Sequence, residues 1–200
     1  MTMPVLPWTR PRGQIVQYCG LGLTALAAAA ASIAAAPGVP GIFGACLGTL
    51  MLAIAVADAR HFIIPNSLNA ASFAFGLLAA ATRSGWDGAL DSMLRGAALA
   101  LTFLLIRTVY QRLRRRQGIG LGDVKLAGVA GAWLDWTMMP IAVEIAALAA
   151  LAIYILHWLR GGKALQRTSR VPFGLFLAPA IWLCWILGTG FAARLLTSAS

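Results

Sequence analysis

The chain has 200 residues, of which 60% are hydrophobic and only 11% are charged, whereas about 25% of a soluble domain is charged. This composition excludes an ordinary soluble protein and indicates an integral membrane protein. The formal net charge is +10. Because the basic residues gather between apolar segments, that charge favours a membrane topology signal over nucleic-acid binding.

The first apolar run follows Arg10 and Arg12 and is nearly long enough to cross a bilayer. It predicts a first transmembrane helix. Cleavage as a signal peptide after an Ala-x-Ala sequence near Ala36 is the alternative.

The apolar runs together predict an all-α fold, a polytopic membrane helix bundle of about six to seven transmembrane helices. We expect them to form a single domain over residues 1–200, without a soluble domain. The fifth run would be only about 20 Å long as a helix, so we expect it to be tilted, half-spanning or fused with the next. The runs are 15–36, 41–58, 67–82, 91–110, 124–136, 139–159 and 173–192.

Basic residues are distributed unequally between the two predicted sides of the membrane. With the N-terminus in the cytoplasm, thirteen of the sixteen lysines and arginines lie inside and only Arg83, Arg95 and Arg194 lie outside. The positive-inside rule favours this orientation. It places Asp58 and Asp123 at the cytoplasmic boundary.

Asp58 and Asp123 are the predicted catalytic residues. Asp58 ends the second run, and Asp123 closes a glycine-rich stretch that contains Gly120 and Gly122. The structural alternatives are a helix-end acid paired with Arg60 or His61 for Asp58, and a helix cap for Asp123. Glu144 lies inside the sixth run, where it is either a protonated or hydrogen-bonded helix contact or a catalytic group.

Two carboxyl groups that share one proton can hydrolyse a peptide through an activated water. The sequence offers no competing nucleophile system, because His61 and His157 lack a partner serine or a reactive cysteine. The three cysteines stand singly, so neither a disulfide framework nor a metal site is expected, and no cofactor is predicted.

The predicted positions in the helices suggest which aspartate carries the shared proton. Asp58 lies at the negative C-terminal end of its helix, and Asp123 lies at the positive N-terminal end of the next one with Lys125 close by. We therefore expect Asp58 to hold the proton.

Two prolines interrupt the helices near the aspartates. Pro65 should turn residues 59–66 out of the helix, with Asn66 or Ser67 capping the third helix. Pro172 should open the last helix together with Phe173 and Gly174. These residues either punctuate the loops or position a substrate.

Three sequence blocks, in this order, resemble the type IV prepilin peptidase family of GxGD aspartic proteases. They are Asp58 with Ile64-Pro65-Asn66, then Gly120-Leu121-Gly122-Asp123-Val124-Lys125-Leu126, then Val171-Pro172-Phe173-Gly174. The similar region covers about residues 40–190.

The resemblance implies a multi-pass enzyme of the bacterial inner membrane that removes the leader of prepilin or pseudopilin precursors. It implies Asp58 and Asp123 as the catalytic pair at the cytoplasmic face. Bifunctional members carry a further block with Cys-x-x-Cys motifs, which this sequence lacks. Methyltransferase activity is therefore not expected, and the chain resembles short Flp/Tad-type peptidases.

Two other functions compete with this interpretation. A proton-coupled transporter would place acids near the membrane centre, with helices broken by glycine. A catalytically idle membrane scaffold would tolerate replacement of both aspartates.

Overall fold

The computed structural model describes residues 11–115, 118–159 and 172–198. These residues form helices without any strand, which confirms the predicted all-α class. Within these ranges, three helices, α2, α3 and α5, are long and apolar enough to cross a membrane. The helices are α1 (Pro11–Ala35), α2 (Val39–His61), α3 (Asn66–Arg114), α4 (Leu121–Trp133), α5 (Met138–Leu159) and α6 (Gly174–Ser198).

Helix α3 is a helical hairpin. Its 49 residues would extend for about 74 Å if straight, more than twice the ~30 Å hydrocarbon core. Helical geometry fails at Ser84 and at Gly85, whose φ of 64° suits glycine. A methyl group placed on Gly96 would lie 2.7 Å from the ring of Phe73, so the two limbs fold back on each other. The limbs correspond to the predicted third and fourth helices.

Helix α4 is short and lies in the core against the α3 hairpin. A methyl group on Gly131 would lie 2.5 Å from the carbonyl oxygen of Arg95, so the two backbones touch there. The indole nitrogen of Trp133 donates a buried 2.8 Å hydrogen bond to the carbonyl of Ser72. At 13 residues, α4 is too short to span a bilayer as a helix, as predicted for the fifth run.

Helix α6 packs through tryptophans onto glycines of α2. The ring of Trp185 contacts the backbone of Gly44, and a methyl group on Gly48 would lie 2.8 Å from the indole nitrogen of Trp182. That nitrogen donates a 3.0 Å hydrogen bond to the hydroxyl of Ser32 on α1. Helices α1, α2 and α6 are thereby joined into one side of the bundle.

The segment between α2 and α3 is shorter than expected. Helix α2 continues to His61, so residues 62–65 alone leave the helix. The prediction that Asn66 or Ser67 caps α3 is wrong. Pro65 occupies the N-cap position, no side chain caps the helix, and the Asn66 side chain accepts a hydrogen bond from another helix.

Candidate active site

Asp58 lies in the last turn of α2, where its carboxyl meets the start of α6. The side chain is buried, and its Oδ2 accepts a 2.9 Å hydrogen bond from the backbone nitrogen of Leu175. A methyl group on Gly174 would lie 2.8 Å from the same oxygen. Glycine at position 174 therefore allows the carboxyl to reach the N-terminus of α6.

Asp58 does not form the ion pair that was the structural alternative. Within residues 11–115, 118–159 and 172–198, the one salt bridge joins Arg95 to Asp91 at the far end of the bundle. Neither Arg60 nor His61 neutralises Asp58 there.

Asp123 lies in the first turn of α4, and its Oδ2 accepts a 3.3 Å hydrogen bond from the backbone nitrogen of Gly120. The predicted capping contact is therefore present. The pKa of the Asp123 carboxyl is raised to about 6, first by burial and second by the charge of Asp58, against the opposing hydrogen bond from Gly120. The two carboxyl groups lie within electrostatic reach of each other.

Ile64 connects the segments that carry the two aspartates. A methyl group on Gly122 would lie 3.1 Å from Ile64 Cβ, and one on Gly174 would lie 2.7 Å from Ile64 Cδ1. The Ile64 side chain is buried. It forms a spacer between α4 and α6, a role that could not be assigned from the sequence, where Ile64 is distinguished only by its place before Pro65.

Lys125 holds α3 against α4. Its ammonium group donates a 2.7 Å hydrogen bond to Asn66 Oδ1. Among the described hydrogen bonds of Lys125, none reaches Asp123. Lys125 and Asn66 therefore belong to the supporting structure of the site, and the predicted proximity of Lys125 to Asp123 is not a direct contact.

The block Pro172-Phe173-Gly174 begins α6. The carbonyl oxygen of Phe173 accepts hydrogen bonds from the backbone nitrogens of Phe176 at 3.0 Å and Leu177 at 2.9 Å. This turn aims the free backbone N–H of Leu175 at Asp58. Val171, quoted in the same block, lies outside the described residues.

Glu144 lies apart from this cluster. It is exposed on α5, six residues after the start of that helix at Met138. That start follows the C-terminal end of α4, and Asp123 lies at the other end of α4. The predicted hydrogen-bonded contact of Glu144 is not seen within the part of the chain that the structure covers.

The side chains of the site suit acid and base chemistry on a water molecule. Over the described ranges, no group of three or more His, Cys, Asp and Glu side chains could hold a metal ion. The site brings together two carboxyl groups, two backbone N–H donors and a buried aliphatic spacer.

The fold and the site define a multi-pass α-helical membrane protein with a pair of aspartates at one end of the bundle. The sequence profile of the type IV leader peptidase family matches residues 45–155. The chain belongs to this family, which confirms the resemblance seen in the three sequence blocks.

Individual relatives agree with the family profile. The chain is 34% identical over 140 residues to leader peptidase HopD of Escherichia coli, covering 70% of this chain and 86% of HopD. It is 33% identical over 150 residues to a prepilin leader peptidase/N-methyltransferase of Burkholderia pseudomallei, covering 74% of this chain and 47% of that protein. A protein of the same name from Pseudomonas aeruginosa is 30% identical over 141 residues, covering 69% and 47%.

The chain thus spans about half the length of the two-activity relatives and most of HopD. No solved structure gives a significant match to the chain.

Proposed function

We propose that this protein is a membrane aspartic endopeptidase that cleaves the leader peptide from type IV prepilin-like precursors. The observation that carries the proposal is the convergence of Asp58 and Asp123 around Ile64, at one end of the bundle. The printed names of the relatives, leader peptidase and prepilin leader peptidase, support the substrate class.

The contacts of the two carboxyl groups favour Asp123 as the holder of the shared proton. Burial disfavours the ionised form of both carboxyl groups. At Asp58 the Leu175 N–H opposes this effect with a 2.9 Å hydrogen bond, whereas at Asp123 the hydrogen bond from Gly120 is longer, at 3.3 Å, and the pKa is raised to about 6. This reverses our expectation from the sequence. That expectation considered only the dipoles of α2 and α4, whereas the N-terminus of α6 also faces Asp58.

Hydrolysis then follows the scheme of a carboxyl pair. Ionised Asp58 takes a proton from water, whose oxygen bonds to the scissile carbonyl carbon while protonated Asp123 gives its proton to the carbonyl oxygen. When the resulting diol collapses, Asp58 passes its proton to the leaving nitrogen and a diol hydroxyl returns one to Asp123. No covalent bond to the enzyme forms.

The distribution of charge supports a cytoplasmic site in the bacterial inner membrane. Arg60, Lys125 and the basic residues at the end of α3 lie toward the aspartates, whereas Arg83 and Arg95 lie near the hairpin turn. Cationic loops face the cytoplasm in most multi-pass proteins. A prepilin, with a basic leader followed by an apolar helix, would present its scissile bond at this boundary.

The transporter alternative predicted acids near the membrane centre. Asp58 and Asp123 lie instead in the last turn of one helix and the first turn of another. No contact of the described residues favours transport over hydrolysis.

The proposal is tested by coexpressing the protein with prepilin substrates and following leader removal by electrophoretic mobility and mass spectrometry. Asp58→Asn and Asp123→Asn should each reduce processing at least a thousandfold, since both carboxyl groups act in the reaction. The matched control is Asp87→Asn, an exposed acid at the hairpin turn of α3, which should process normally. Unchanged processing by either site variant would refute the proposal.

A pH series with the wild-type protein extends the same assay. Asp123 has its pKa raised from 3.8 to about 6, so its proton is present below that value and is lost as the pH rises through it. We expect kcat/KM to fall above about pH 6. A rate that increases steadily from pH 6 to 8 would exclude Asp123 as the proton donor.

A further inference from the structure

Phe62 adopts a backbone conformation that a bulky residue rarely takes. It ends α2 with a φ of 53° and a ψ of 31°, and its backbone N–H donates a 2.9 Å hydrogen bond to the carbonyl oxygen of Asp58. Glycine usually occupies this left-handed position at a helix end, because it has no Cβ to clash with the backbone. Strained residues of this kind cluster at functional sites.

The Phe62 ring does little for the packing of the bundle, because 55% of the residue surface is exposed. Two further apolar residues near the aspartates share this property. Ile63 is 66% exposed, and Leu121, two residues before Asp123, is 55% exposed. The contact between Ile64 and Gly122 brings the segments of these residues together. We call Phe62, Ile63 and Leu121 the apolar rim.

The surroundings of the apolar rim are cationic. Arg60 and Lys125 are exposed on the same two segments. A basic peptide segment is repelled by such a surface, whereas an uncharged apolar segment gains by covering exposed hydrocarbon. The rim therefore suits the apolar part of a peptide whose scissile bond lies at the aspartates.

Resting on the proposed function, we propose that the apolar rim binds the hydrophobic side chains that directly follow the scissile bond of the precursor. Phe62 is then a substrate-contacting residue, and its backbone is fixed to the helix turn of Asp58 by the hydrogen bond to the Asp58 carbonyl. The competing occupant is the bilayer, since exposed apolar side chains at a helix end can also contact lipid.

The first experiment replaces Phe62 by glycine, which removes the ring and also the backbone strain. The substrate is a synthetic peptide with a basic leader, a glycine and the first ten apolar residues of a prepilin, cleaved by purified protein in detergent micelles. We expect Phe62→Gly to lower kcat/KM roughly tenfold or more, mainly through KM, because the apolar surface that the Phe62 ring buries against the bound peptide is lost. Its melting temperature should not fall. Phe62→Trp, which keeps an apolar ring, should retain most of the activity.

Arg115 provides the matched control. Within the ranges that the structure describes, it is the other non-glycine residue with a left-handed backbone, with a φ of 51°, and its backbone N–H donates a 2.9 Å hydrogen bond to the carbonyl oxygen of Gln111 that closes α3. Arg115→Gly makes the same backbone change at a residue that is not part of the rim, and it should leave kcat/KM unaltered.

A second peptide, in which serines replace the apolar residues after the scissile bond, tests whether those residues are the ones that contact Phe62. The wild-type protein should cleave it about tenfold less efficiently, and Phe62→Gly should cause little further loss, because both changes remove one contact.

Equal kcat/KM for wild type and Phe62→Gly on the apolar peptide would overturn the inference and leave the proposed function intact. A defect that appears in native membranes but not in micelles would also overturn it, because lipid is then the occupant. Failure of the wild-type protein to cleave either peptide or any precursor would remove the proposed function, and this inference with it.

Discussion

At the residue scale, the site depends on glycines that let side chains and helix ends approach closely. Gly174 is in contact with both Ile64 and the carboxyl group of Asp58. Sequence could single out Asp58 and Gly174 as members of recurrent blocks. It could not show that Asp58 accepts a hydrogen bond from Leu175, because this contact joins residues 117 positions apart whose approach depends on the packing of α6 against α2.

Replacement of Gly174 by alanine should displace the Asp58 carboxyl. The added methyl would lie 2.8 Å from Asp58 Oδ2 and 2.7 Å from Ile64 Cδ1, so at least one of them must move. We expect the rate of leader cleavage to fall about a hundredfold, as is typical for a shift of about 1 Å in a reacting group. Kinetics of the purified variant on a prepilin peptide measure the effect.

Gly188→Ala is the control for this variant. It lies on the same helix, and its added methyl would meet Met138 at an ordinary distance of 3.5 Å. It should cleave at the wild-type rate. An equal loss in both variants would show that α6 does not tolerate alanine at its glycine positions, whatever their contacts.

At the element scale, the apolar runs predicted most helices but not the loops and breaks that connect them. The gap between the third and fourth predicted runs, residues 83–90, is reduced to a break at Ser84 and Gly85, because one glycine with positive φ suffices to reverse the chain. Gly122 precedes the fifth predicted run, which begins at residue 124, but it lies inside α4. Its intrinsic helix propensity is low, and the close contact with Ile64 outweighs that preference.

The backbone contact between α4 and the α3 hairpin should make the protein sensitive to a larger residue at position 131. In Gly131→Ala the new methyl would lie 2.5 Å from the carbonyl oxygen of Arg95, which belongs to a rigid helix backbone. The free energy of unfolding should fall by about 1–3 kcal/mol, the usual cost of overpacking. Thermal unfolding in detergent measures it.

Gly128→Ala tests whether the loss of stability in Gly131→Ala comes from the close backbone contact at residue 131 or from any replacement of glycine by alanine in α4. Its methyl would lie 3.4 Å from the side chain of Ala100, an ordinary contact, so the change in stability should stay within about 0.5 kcal/mol. Equal destabilisation by both alanines would contradict the packing described here.

At the scale of the whole molecule, the bundle has one end with the aspartates and one end with the hairpin turn. The start of α4, the start of α6 and the end of α2 meet at the first end. Hydropathy and charge were sufficient to predict that Asp58 and Asp123 share an end, because the number of helices between them fixes the side. The distance between the carboxyl groups could not be predicted from the number of helices, because it depends on how the helices pack.

The proposed orientation can be measured with single cysteines. Trp86 at the hairpin turn is 76% exposed, and Leu113 near the aspartate end is 78% exposed, so accessibility is matched. In a variant without the three native cysteines, Trp86→Cys should react with a membrane-impermeant maleimide added to spheroplasts. Leu113→Cys should react only after permeabilisation. The reverse labelling pattern would place the site outside the cytoplasm.

Ile64 touches a bare glycine on each side, at Gly122 and Gly174. Neither neighbour has a side chain that could rearrange when the spacer changes size. Any alteration of this one hydrocarbon group is therefore transmitted to the helix start that carries Asp123 and to the helix start that binds Asp58. A substitution of Ile64 that shifts the acid, Asp123, is therefore expected to shift the base, Asp58, as well.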